Sequence, residues 1–175
     1  HPHPDFLQPE KTKLRAEAMD AVRWAHLLER VDALLPPLTG ARLIPEILVV
    51  IERGGEAGFL VRDLRFFQDG SYSLPALSLP FVGPQLARAR GETLAAFGRQ
   101  HYAAPVGRGK ARLLLRYGLW FETPNPQNLL LRFDMGLRPY PDIVFRDVGD
   151  GDCATDANQA TDRPWTKLVG DIRPE

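Results

Sequence analysis

The chain has 175 residues, 44% of them hydrophobic and 25% charged, the proportions of a soluble globular domain with a sizeable core. Lys plus Arg and Asp plus Glu both number 22, so the formal net charge is zero and there is no global electrostatic case for nucleic acid or an anionic membrane. No stretch approaches the roughly 20 apolar residues that span a bilayer. The single cysteine, Cys153, excludes an intrachain disulfide, and no Cys/His spacing resembles a zinc site.

In chain order, the apolar spacing Leu14, Ala18, Ala21, Val22, Ala25, Leu28, Val31, Leu35 predicts a helix from Pro9 to about Leu35, closed by Pro36-Pro37. His1 and His3 read as part of a mobile end. His26 and His101 have no ligand partner at helical spacing and read as structural or solvated. The β-branched run Ile47–Ile51, the Gly54-Gly55 pair and Gly58–Val61 predict a hairpin. Gln68–Ser71 is a turn. Tyr72–Leu79 is an extended piece whose Pro75 suits an edge strand. A second helix is expected from Gly83-Pro84 to about Gln100 and a third from about Lys110 to Phe121. Between them Ala104–Gly109 reads as a basic, solvated loop without the spacing of a Walker phosphate loop. Strands are expected at Leu129–Phe133 and Ile143–Phe145, joined by a turn at Asp134–Gly136.

If those last two strands form a hairpin, their outer ends lie side by side. Asn128 stands just before the first, and Arg146 and Asp147 just after the second. An amide, a guanidinium and a carboxylate would then meet at one mouth, with Asp150 and Asp152 a few residues on. Magnesium takes hard oxygen ligands, one or two from protein and the rest from phosphate and water. Protein kinases hold their metal–nucleotide complex with an Asn and an Asp in comparable order. A guanidinium suits phosphate oxygens. On this reading Asn128, Asp147 and Asp150 are candidate metal ligands and Arg146 is the charge-stabilising catalytic group. The structural reading stays open beside it: Asn and Pro are turn residues, so Glu122–Asn128 is equally a helix-to-strand loop, and Asp147–Asp152 a solvated Gly-Asp turn.

The stretch YGLWFETPNPQNLLLRFD, followed by DIVFRDVGDGD, resembles the core of the NRPS-independent siderophore synthetases, the aerobactin-synthetase-like enzymes. Tyr117-Gly118, Gln127-Asn128, Leu129–Leu131 and Arg146-Asp147 carry the match, over about residues 117–152. Asn125 stands where that family has a histidine. The resemblance implies an ATP- and magnesium-dependent ligase that activates a carboxylate as an acyl-adenylate for capture by an amine or alcohol. It further implies that Asn125, Gln127 and Asn128 contact nucleotide or metal, and that Asp147 helps to hold the metal.

The expectations are therefore an α+β domain over residues 1–153, with a polar, loosely packed tail over 154–175. Its core would be an antiparallel sheet of about five or six strands flanked by about three helices, palm-like or kinase-like. The expected location is the cytoplasm. Partners would be a small carboxylate and an amine, with a protein partner or homo-oligomer open, and neither nucleic acid nor membrane. Two other functions remain open: a kinase-like phosphotransferase, which would attack the γ-phosphate, and a non-catalytic protein-binding module.

Overall fold

The computed structural model describes residues 15–52, 58–121, 125–148 and 152–153. The expectations for the first helical turn, for Glu122, for Asp150 and for the 154–175 tail lie outside these residues. Helix α1 (Arg15–Leu34) leads into β1 (Ala41–Ile44), then β2 (Glu46–Ile51) and β3 (Gly58–Arg62). β4 (Tyr72–Pro75) passes through a 3-10 turn into α2 (Leu79–Ala89), followed by the short helix α3 (Leu94–Gly98) and α4 (Ala104–Tyr117). β5 (Leu119–Trp120), β6 (Leu129–Phe133), β7 (Pro139–Arg146) and β8 (Asp152–Cys153) complete the order.

The fold is α+β, as expected, but the sheet is not the wholly antiparallel one. The central sheet has four strands in the order β1-β7-β6-β4, and β1 runs parallel to β7, with Ala41 opposite Ile143 and Ile44 opposite Arg146. β6 is antiparallel to both β7 and β4. β2–β3 and β5–β8 are separate two-stranded pairs. The hairpin of β2 and β3 and the antiparallel pairing of β6 with β7 follow the apolar runs. β1, ARLI, is short and carries an arginine, and its partner lies about a hundred residues downstream, so no local signal marks it.

One sheet face carries Leu129, Leu131, Phe133, Ile143 and Phe145 and packs against Leu28 and Val31 of α1 and Leu113 and Tyr117 of α4. Ile44, Leu130 and Val144 form a smaller cluster on the other face, joined by Phe67. Every residue of β6 is buried, Arg132 among them. The Arg132 guanidinium pairs with Asp142 at 3.0 Å, with Asp69, and lies over the Tyr140 ring at 4.5 Å.

The helical connections differ from the sequence reading. The single helix expected over 83–100 breaks at Gly91, whose φ of +68° ends α2, and Thr93 restarts the chain by capping Ala96 N–H at 3.1 Å. The expected loop 104–109 is instead the first part of α4, entered through one turn of π-helix at Arg99–Ala103. Pro105 fits a first turn, where no N–H is needed. Gly109 lets the helix lie against β7: a Cβ there would meet Ile143 Cγ2 and Phe145 Cε2, each at 2.7 Å. α4 ends earlier than expected, at Tyr117, because Gly118 adopts the left-handed cap with φ of +67°.

Candidate functional site

The opening of β6 is set by an asparagine. Asn125 caps the 3-10 turn Pro126–Asn128: its Oδ1 accepts the Gln127 N–H at 3.1 Å, and its carbonyl accepts the Asn128 N–H at 2.7 Å. Pro126 pre-sets the turn's first φ. This orders the chain so that Leu129 enters β6 opposite Phe145 of β7 and Asn128 arrives at the end of the sheet, half-buried. On the neighbouring strand β7 stops at Arg146, and Asp147 turns away with φ of +64°. Asp tolerates this left-handed backbone better than most residues, at about 1 kcal/mol or more. The two side chains meet: Asn128 Nδ2 donates to Asp147 Oδ2 at 3.2 Å.

Two more charged groups close on the same place. The parallel pairing of β1 with β7 ends with Ile44 opposite Arg146, so Pro45-Glu46 and Asp147 leave the ladder at the same end. The pairing of β2 with β3 sets Arg62 opposite Glu46. Arg62 Nε donates to Glu46 Oε1 at 2.8 Å, and its terminal nitrogen lies 3.7 Å from Asp147 Oδ1. Glu46 is fully buried, and its Oε2 makes no hydrogen bond. A buried carboxylate persists when paired, so this ion pair stabilises the corner only as long as both members stay. Glu46, Arg62, Asn128 and Asp147 thus form one polar knot at one end of the sheet.

The other sequence-nominated residues lie differently. Gln127 and Asn125 are exposed beside the knot. Arg146 sits opposite Ile44 and is half-buried, with no ion pair among the described residues. Asp150 lies outside the described residues. Glu46 and Arg62 went unnoticed in the sequence. The available signal was a charged residue at each end of an otherwise apolar hairpin, EILVVI and GFLVR, whose register makes them opposite numbers.

The donor chemistry of the knot suits magnesium. Asp147 offers a carboxylate and Asn128 an amide whose half-turn exchanges nitrogen for oxygen. Among the described residues no three acidic, His or Cys side chains cluster as a metal cage.

A cleft of about 590 Å³ lies elsewhere, between α1 and the β1–β2 segment. Its arginines are paired: Arg116 with Asp32 at 2.5 Å, Arg65 with Asp63 at 2.5 Å, and Arg42 with Asp142 at 2.5 Å. Hydrogen bonds from Arg65 hold the Asp63 carboxyl below its ordinary pKa. Tyr117 donates its hydroxyl to Asp32 at 2.7 Å, and burial together with that carboxylate pushes its pKa well up.

No protein-family profile matches the chain, and no curated protein sequence matches it significantly. Solved structures do. ATP-bound aerobactin synthetase IucA from a hypervirulent pathotype of Klebsiella pneumoniae superposes with a TM-score of 0.61 and 19% identity, over 94% of this chain. A second structure of IucA gives the same values. The petrobactin biosynthesis protein AsbB from Bacillus anthracis str. Sterne gives 0.55 and 15%, over 93% of this chain. The match spans 33% of each of those chains, so this chain covers about a third of their length. At such identities the likeness is one of fold, and it is a partial match to the siderophore-synthetase type that the 117–152 motif resembles.

Proposed function

We propose that the chain is the nucleotide-handling core of an ATP- and magnesium-dependent ligase of the siderophore-synthetase type, activating a carboxylate as an acyl-adenylate for capture by an amine or alcohol. The observation that carries this reading is the meeting of Asn128 and Asp147 at 3.2 Å, at the end of a sheet whose fold is shared with a synthetase solved with ATP. In this reading Asn128 and Asp147 hold magnesium, with Asp150 as a third candidate. Gln127 and Asn125, exposed on the capped turn, orient phosphate. Arg146 offsets the charge that develops there. A bound magnesium would neutralise phosphate charge and fix the attacked phosphorus; the chain's own work is positioning and electrostatic stabilisation.

The rigid parts of the site support such positioning. The turn holds the Asn128 backbone, and the Asn128 and Asp147 side chains already meet at 3.2 Å, so little of the pair has to be gathered when ligand arrives. A non-catalytic binding module is the second reading, favoured by one observation. Asn125 replaces the family histidine, and its side chain is spent on capping the turn.

Calorimetric titration with ATP, with and without magnesium, tests the proposal. Wild type should bind ATP more tightly with magnesium, and Asp147→Ala or Asn128→Ala should erase most of the magnesium effect. If both variants keep the full magnesium dependence, the metal is held elsewhere and the assignment fails.

A further inference from the structure

The polar knot contains more donor capacity than it uses. Arg62 has five N–H donors in a planar fork. Nε is spent on Glu46 at 2.8 Å. The terminal nitrogen facing Asp147 stands at 3.7 Å, beyond hydrogen-bond length, and the ends of the fork make no hydrogen bond among the described residues. The side chain keeps 34% of its surface open, and Asp147 keeps 21%. A guanidinium anchored at its neck by a buried carboxylate, partly open to solvent and with its terminal nitrogens unbonded among the described residues, is able to receive a bidentate oxyanion.

We propose that Arg62 is the oxyanion-receiving side chain of this site and that Glu46 is the positioning residue that aims it. Glu46 acts through Arg62. Its full burial denies it to ligand, and its Oε1 removes the guanidinium's freedom to turn away. Arg62 then keeps its terminal N–H groups for an oxyanion arriving beside Asp147. The oxyanion is a phosphate of the nucleotide or the carboxylate of the second substrate; both present paired oxygens to the same fork. The inference rests on the proposed ligase reading only for the nucleotide source. The fork itself follows from the hydrogen bonds of Arg62.

The test is calorimetric titration of the full chain with three probes: magnesium–ATP, sodium pyrophosphate and sodium succinate. The variants are Arg62→Lys, Arg62→Gln, Glu46→Gln and the double Glu46→Gln/Arg62→Gln. The double variant leaves no buried charge unpaired, so it keeps the test open where Arg62→Gln alone fails to fold. Arg62→Gln should weaken whichever oxyanion the fork holds by tenfold or more, and Arg62→Lys should recover part of that through its point charge. Glu46→Gln should weaken the same probe by a smaller factor, and adding it to Arg62→Gln should cost nothing further. A purely structural role for Glu46 would lower the melting temperature of every variant and leave this non-additivity absent. Selective loss of pyrophosphate and magnesium–ATP assigns the fork to phosphate; selective loss of succinate assigns it to carboxylate. If wild type binds succinate alone, the fork stands and the nucleotide reading falls. If wild type binds magnesium–ATP and the double variant binds all three probes equally well, the nucleotide reading stands and the Arg62 assignment is overturned. Failure of wild type to bind any of the three overturns both.

Discussion

Tyr117 shows how one side chain joins the outer helices to the sheet. It is 1% exposed, it packs in the main core, and its hydroxyl donates to Asp32 of α1 while Arg116 grips the same oxygen. Burial is the first cause of its raised pKa and the Asp32 carboxylate the second. The sign of the pH dependence follows. Below pH 10 both folded and unfolded chains keep the phenolic proton, so the bond contributes fully. Above it the unfolded chain loses the proton while the folded chain retains it. The unfolded state then binds fewer protons, and stability falls by up to about 1.4 kcal/mol per pH unit. Tyr117→Phe should cost about 1 kcal/mol at neutral pH. It should also be blind to this alkaline limb, so the gap between wild type and variant closes within about one unit above pH 10. Urea titrations from pH 8 to 11 check it; a gap that stays constant across that range would mean that the hydroxyl ionises as freely in the folded state as in the unfolded.

Among the elements, α4 makes the sharpest claim, because its glycines do different jobs. Gly109 is buried, and a Cβ there would stand 2.7 Å from Ile143 and Phe145, both closely packed. Gly107 lies in the same helix with nothing within 4 Å. Alanine gains up to about 1 kcal/mol over glycine in a helix interior. At Gly109 overpacking of about 1–3 kcal/mol exceeds that gain, so Gly109→Ala should lose stability while Gly107→Ala should gain it. Both are read as shifts in the urea midpoint; movement of the two variants in the same direction would refute the close approach of α4 to β7. The same glycines explain a misreading. Gly107 and Gly109 with Pro105 look like loop punctuation in the sequence, yet Pro105 opens the helix and Gly109 is a contact with β7. Elements written in local periodicity were legible: α1 from its apolar spacing, the β2–β3 hairpin from its β-branched run, β6 from its leucines. β1 was not, because its partner β7 is set by long-range packing. The site divided in the same way. Asn128 and Asp147 were legible because both flank the ends of an evident strand pair. Glu46 and Arg62 were not, because they reach the site only through the parallel β1–β7 pairing and the β2–β3 register.

At the scale of the whole molecule, binding and turnover can come apart. The chain matches about a third of the length of the synthetases whose fold it shares, and Asn128, Arg146 and Asp147 lie at one end of the four-stranded sheet. On the proposed reading, the contacts to nucleotide come from that end. Adenylate formation also needs a carboxylate held in line with the α-phosphate. If the polar knot binds magnesium–ATP, ligand at a hundred times its dissociation constant should stabilise the fold by about 2.7 kcal/mol. In a domain of this size that is a rise of roughly 5–11 °C in melting temperature. Asp147→Asn should remove most of that rise while leaving the melting of the ligand-free protein within a few degrees, because the side chain is partly open and the amide keeps its shape. The phosphorus products then separate the enzymatic readings. Incubation with a mixture of carboxylic acids and amines yields AMP and pyrophosphate from a ligase, and ADP from a phosphotransferase. A rise in melting temperature without either product is the pattern of a chain that binds nucleotide and needs further residues to turn it over. No rise at millimolar magnesium–ATP leaves the meeting of Asn128 and Asp147 as a structural corner, and the protein-binding module becomes the reading that stands.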